Sequence, residues 1–172
     1  MTRRTIAVLA AAAFAALAAP AGAQVSSLAV GVANPVGDLS NTAKSGFDVH
    51  FQVRTPPMIG PLSLQIALGY DWLGGVGTSK STTIAVESVS LEGDFLPWFY
   101  WVAGPGYYQS TQTINIAGHN ALNQQSYLGA QATVGAEFPL IRWRGFVEAG
   151  VVRLFSPRPT PMYVPVRFGV RL

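Results

Sequence analysis

Hydrophobic and polar residues alternate along most of this chain. In the last eleven residues Met162, Val164, Val166, Phe168, Val170 and Leu172 are apolar, and between them stand Tyr163, Pro165, Arg167, Gly169 and Arg171. A period of two marks a β-strand with one oily face and one polar or small face. The same alternation sets Phe47, Val49, Phe51 and Val53 against Asp48, His50, Gln52 and Arg54. It recurs from Leu62 to Trp72, where Ser63, Gln65, Ala67, Gly69 and Asp71 take the second face. Residues 126–138 alternate well too, and residues 28–32 and 143–155 carry the same pattern. Residues 98–110 are aromatic on both parities and predict a strand without assigning its faces. In residues 82–95, Ile84 and Val86 share one parity while Val89, Leu91 and Phe95 share the other, which predicts a β-bulge near Glu87 and Ser88. The total is eight strands.

The connections support the same architecture. Residues 34–46, 74–81 and 112–124 read as longer polar loops, the last rich in Asn and Gln. Residues 96–97 and 139–142 read as tight turns. Long and short connections in alternation, with an even strand count, describe an antiparallel up-and-down β-barrel with unlike ends. The pattern places Trp98, Phe99, Tyr100, Trp101, Phe138 and Trp143 near the short-turn rim. Tyr70, Trp72, Tyr107, Tyr108, Tyr127 and Phe155 fall near the loop rim. Two aromatic bands of this kind are what membrane interfaces select.

Composition narrows the class. Only 11% of residues are charged and the mean hydropathy is +0.31, yet no segment after the N-terminal stretch has the ~18–20 continuous apolar residues of a membrane-spanning helix. Alternating strands, half of each facing lipid, reconcile the two observations. Residues 1–23 carry the marks of a cleaved signal peptide: Arg3 and Arg4, an apolar run over residues 6–19, then Ala21-Gly22-Ala23. Residues 24–172 are then the barrel domain. Its nine basic and eight acidic residues after loss of Arg3 and Arg4 give no support to nucleic-acid binding. The chain has no cysteine, so no disulfide framework is expected in an exported domain.

With these features in hand, the chain resembles the small eight-stranded outer-membrane β-barrels, the OmpA/OmpX-like transmembrane domains. The resemblance rests on N-P-V-G-D-L (residues 34–39), A-G-P-G-Y-Y (103–108), F-V-E-A (146–149) and V-P-V-R-F-G-V-R-L (164–172). It implies an outer-membrane location, lipid and lipopolysaccharide as surroundings, and recognition of the C-terminal strand by the barrel-assembly machinery. The family usually closes on an aromatic residue, where this sequence has Leu172.

An eight-stranded barrel is just wide enough for side chains to fill. The inward parity collects Asp48, His50, Gln52, Arg54, Gln65, Asp71, Glu137, Arg144, Glu148, Arg167 and Arg171, a set able to pair across the lumen as a polar network. Arg153 shares the parity of lipid-facing Val147, Ala149 and Val151, and is expected to meet lipopolysaccharide phosphates, with Lys80 and Arg158 as companions. A bulge turning Arg153 inward is the alternative. Catalysis is not expected. A lipid A deacylase-like barrel enzyme needs His, Ser and an acid together, and neither His50 nor His119 stands in an H-x-S arrangement. No cofactor is expected, and no metal: there is no H-x-x-x-H, no cysteine and no acidic calcium loop. The remaining rival is a soluble lipocalin-like carrier, with the apolar parity inside around a ligand. The expected role is structural or interactional, through residues 34–46 and 112–124.

Overall fold

The computed structural model describes residues 25–156 and 160–172. The proposed signal peptide and Arg158 lie outside the described residues. Eight antiparallel strands follow one another: β1 (Val25–Gly37), β2 (Ala43–Arg54), β3 (Leu62–Gly75), β4 (Ser79–Leu96), β5 (Phe99–Ile116), β6 (His119–Leu140), β7 (Trp143–Phe155) and β8 (Pro161–Arg171). Each pairs with its sequence neighbours, and β1 pairs with β8, so the sheet closes with no free edge through its body. The closing seam is long, running from Ser27 opposite Arg171 to Gly37 opposite Pro161.

Parity decides which face is inside. On β8, Tyr163, Pro165, Arg167, Gly169 and Arg171 are buried, whereas Val166 and Phe168 are 39% and 49% exposed. Around the middle of the wall the apolar parity therefore faces outward, with Leu28, Phe51, Leu68, Leu91, Val134 and Val147 forming an oily belt. A surface of this kind belongs in lipid, because water would oppose so large an exposed apolar area. It also removes the carrier reading, which needs that face around a ligand.

Four expectations are corrected. First, β4 carries no bulge at Glu87 and Ser88: its register with β3 and β5 continues unbroken through that point. Ile84 and Val86 do face inward, and Val89 and Leu91 do face outward, because the lumen itself changes character along its axis. Near the loop end it is apolar, filled by Leu39, Leu73, Ile84, Val86, Tyr108, Val152, Leu154 and Tyr163. Nearer the turn end it is polar. Second, residues 112–124 are not a loop. Strands β5 and β6 continue to a two-residue turn, Ala117-Gly118, whose φ angles of 49° and 86° match the hairpin turn that follows strand twist. Third, Tyr100 and Tyr108 are not girdle residues; both are buried in the lumen. Their rings lie where inward-facing glycines make room, Tyr100 over Gly135 and Tyr108 over Gly106 and Gly129. Residues 34–46 are also more compact than a loop. They run on as strand to Gly37, make a single 3-10 turn (Asp38–Asn41), and bury Leu39 in the barrel mouth.

The aromatic bands persist in thinner form. Phe47, Tyr70 and Trp72 cluster near the loop end, and Phe95, Trp98, Phe99 and Trp143 stand exposed at the turn end.

Candidate functional site: the charged lumen and the raised hairpin

Because β2, β3, β7 and β8 alternate strictly, their inward positions bring charged side chains together from four walls. Arg167 is the centre. Its Nε donates to both oxygens of Asp48 at 2.8 and 3.0 Å, and its Nη1 donates to Glu148 Oε1 at 3.2 Å. Its Nη2 lies 3.1 Å from His50 Nε2. A guanidinium can only donate, so Nε2 accepts, and His50 is a neutral imidazole carrying its proton on Nδ1. Glu148 also accepts from Gln52 Nε2 at 3.3 Å and from the Tyr100 hydroxyl at 3.1 Å.

Gln52 links this group to a second one nearer the turn end. Gln65 Nε2 donates to Gln52 Oε1 and to Glu92 Oε2, each at 3.2 Å. Glu92 pairs with Arg54 and, at 2.9 Å, with Arg171. Arg171 reaches Glu137 at 3.1 Å and packs its guanidinium over the Tyr100 ring, 4.7 Å from the centroid. Glu137 then meets Arg144 at 3.3 Å. Hydrogen bonds and ion pairs thus join the inward-parity side chains into one chain, except that Asp71 is buried without a hydrogen bond among the described residues, and Arg144 has inward parity but stands at the rim, 67% exposed, because its strand has only just begun. Such pairs hold charges that would otherwise be costly to bury. Sequence reasoning missed Glu92, Tyr100 and the Gln131 amide that donates to Ser88 and Ser90 at 3.0 Å. All three lie on or against the strands whose faces the pattern left unassigned.

His50 and Ser63 stand far apart. Ser63 is buried on β3, but the residue of β3 opposite His50 is Gly69. Six residues of strand separate Gly69 from Ser63, about 20 Å at the usual rise. His119 is exposed at the tip of the β5–β6 hairpin.

Arg153 is exposed and points outward, so the bulge that would turn it into the lumen does not occur. It stands two residues from the loop end of β7. Lys80 is exposed at the start of β4, three strands away around the wall, so the two do not form one patch.

The loop end is asymmetric. β4, β5 and β6 have 18, 18 and 22 residues, against 13 for β7 and 11 for β8. The β5–β6 hairpin therefore rises above the rest. Pairing between β6 and β7 starts only at Leu128 opposite Phe155, so residues 119–127 have no partner on that side among the described residues. Between the raised wall and the 3-10 turn lies a cavity of about 250 Å³ lined by Asp38, Thr42, Thr82, Gln112, Gln125 and Tyr127, among others.

No protein-family model and no curated protein matches this chain. Solved structures do. The structure is similar to Neisserial surface protein A, with a TM-score of 0.62 and 13% identity over 88% of this chain and 97% of that one. It is similar to Ail, the attachment invasion locus protein of Yersinia pestis, with a TM-score of 0.58 and 11% identity over 87% and 99%. The N-terminal β-barrel domain of Pseudomonas aeruginosa OprF gives 0.56 and 10% over 87% and 97%. At such identities the likeness establishes the fold alone: a closed eight-stranded antiparallel barrel, the fold of these three outer-membrane proteins.

Proposed function

We propose that this protein is an integral outer-membrane barrel whose task is carried by the hairpin it raises above the lipid, while the charged lumen holds the barrel rigid. The observation that carries this reading is the open edge of β6 over residues 119–127. A strand edge offers alternate unpaired N–H and C=O groups, ready to accept another extended strand. Natural proteins usually guard such an edge with charge or proline. Here residues 109–127 contain no Lys, Arg, Asp, Glu or Pro. An unguarded, well-supported edge fits a surface partner that docks by adding a strand. Ail, a protein of the same fold, is named for attachment and invasion and has been solved with a heparin analogue, which is consistent with surface contact as a use of this scaffold.

The test is adhesion. Cells displaying the barrel are compared with cells displaying a version whose residues 113–122 are replaced by a two-residue turn, both checked for folding by the change in gel mobility on boiling. Binding to neighbouring cells or matrix that is lost with the hairpin supports the reading. Binding equal in both, or equal to cells lacking the protein, sinks it. Loss of resistance to bile salts on deletion of the whole barrel would then favour the second reading, barrier integrity.

Two smaller proposals attach to the same reading. Arg153 lies near the loop rim, where a lipid-facing charge costs only about 0–1 kcal/mol, and its guanidinium suits lipopolysaccharide phosphate. Arg153→Ala should weaken the barrel in lipopolysaccharide and leave it unchanged in neutral lipid; equal stability in both removes the contact. The oily face of β8 is the surface we assign to the assembly machinery, with Leu172 in the final position.

A further inference from the structure

Above Arg167, where the polar lumen meets its apolar cap, three buried side chains converge. His50 Nε2 lies 3.5 Å from Asp48 Oδ2 and 3.6 Å from Asp71 Oδ1, and one donor atom of each of the three falls within 4.8 Å of the others. From these we propose a binding site for one divalent cation of the zinc class, held by Asp48, His50 and Asp71.

A trio of ligand types is not enough, and three further observations point to a cation. Asp71 is 0% exposed, yet among the described residues neither of its oxygens has a hydrogen-bond partner. A buried carboxylate without a partner costs several kcal/mol, so it calls for a counter-ion. The hydroxyls of Tyr163 and Tyr108, both fully buried on the apolar side of Asp71, are also without partners among the described residues. Charge points the same way. With their carboxyls ionised, as metal ligands must be, Asp48, Asp71 and Glu148 set three negative charges against one guanidinium, Arg167, which pairs with Asp48 and Glu148 only, and the neutral His50 adds none. In that ionised state the group is two positive charges short, which a single divalent ion supplies.

The geometry suits a small ion. Tetrahedral zinc with bonds near 2.0–2.2 Å spaces its ligand atoms about 3.3 Å apart, a few tenths of an ångström from the two distances found. To bind, the ion takes the Nε2 lone pair that Arg167 Nη2 now uses. Arg167 keeps Asp48 through Nε and Glu148 through Nη1. The imidazole argues against calcium or magnesium, which take oxygen donors, and for a borderline ion such as zinc. Tyr163 then hydrogen-bonds the outer oxygen of Asp71, the supporting contact that metal-bound carboxylates need. No helical or loop motif announces these ligands. They come from adjacent strands, His50 two residues from Asp48, and Asp48 directly opposite Asp71.

The experiment uses the untagged mature barrel, refolded in detergent with zinc or with chelator, then freed of loose metal by gel filtration. Metal per folded protein is read by mass spectrometry, and cobalt is substituted to read coordination from its visible spectrum. The site predicts about one zinc per barrel, pH-dependent as for any imidazole and carboxylate ligand set, and an intense tetrahedral cobalt band. Asp71→Asn and His50→Gln should each lower retention at least tenfold, while His119→Ala should not change it. Less than about a tenth of an equivalent in the wild-type barrel, with no cobalt band, overturns the site whatever the variants do. Retention lost with His119 but kept in the Asp71 and His50 variants overturns it too, by assigning the metal to the hairpin tip.

Discussion

The behaviour of single residues follows from how tightly the lumen is filled. Arg167 satisfies Asp48, Glu148 and His50 at once. Arg167→Ala should therefore destabilise the barrel by about 3–5 kcal/mol, the cost of stranding buried charges, measured as a lower urea midpoint in lipid vesicles. Arg167→Lys keeps the charge but lacks the planar fork, and should recover only part of that loss. A Cβ added at Gly135 would stand 2.3 Å from the Tyr100 ring. Gly135→Ala should cost about 1–3 kcal/mol by overpacking, read from the same unfolding curves; an unchanged midpoint would mean that Tyr100 moves freely. Parity alone revealed Asp48, His50, Arg167 and most of their partners, because strict alternation maps directly onto inside and outside. It could not reveal Tyr100 or Tyr108, since their segment is aromatic on both faces. The available signal was glycine on the neighbouring strand, Gly129 and Gly135, leaving ring-sized gaps.

Turns and hairpins set the shape at the next scale. At the β6–β7 turn, Ile141 has φ 46° and is fully exposed. A β-branched residue there carries left-handed strain of about 1–2 kcal/mol, and the hairpin turn with positive φ at its first central position favours glycine. Ile141→Gly should accordingly raise stability by up to about 1 kcal/mol, checked by the urea midpoint. At the other end, Ala117-Gly118 leaves Ala in a conformation that Asn adopts more readily. Ala117→Asn should slow proteolytic nicking of the raised hairpin without altering the barrel; faster cleavage would argue that the hairpin is not formed. The strands themselves were readable, but their lengths were not. Residues 112–124 mix polar residues with Ile114, Ile116 and Leu122 without a sustained period of two, because both faces of a raised hairpin meet water, and that erases the alternation that marks a strand in lipid. The reverse happened on β4: a lumen apolar near one end and polar near the other shifts the oily parity, and the shift mimics a bulge.

At the scale of the whole molecule, one choice of face governs everything. With the apolar parity outside, the charges must find one another in the lumen, the hairpin must stand in water, and the barrel must sit in a membrane. The sequence pattern sets out both parities but not which is inside; closure of the sheet with Arg167 and Arg171 buried settles that. All four tryptophans then lie on the outer surface, Trp72 near the loop end and Trp98, Trp101 and Trp143 near the turn end. The most direct measurement is therefore tryptophan fluorescence of the refolded protein in vesicles whose phospholipid chains carry bromine, compared with ordinary vesicles. A lipid-embedded barrel loses most of its emission to the brominated chains. Emission indifferent to bromine, from a protein that stays in the aqueous phase, would place the oily face inside and contradict the account.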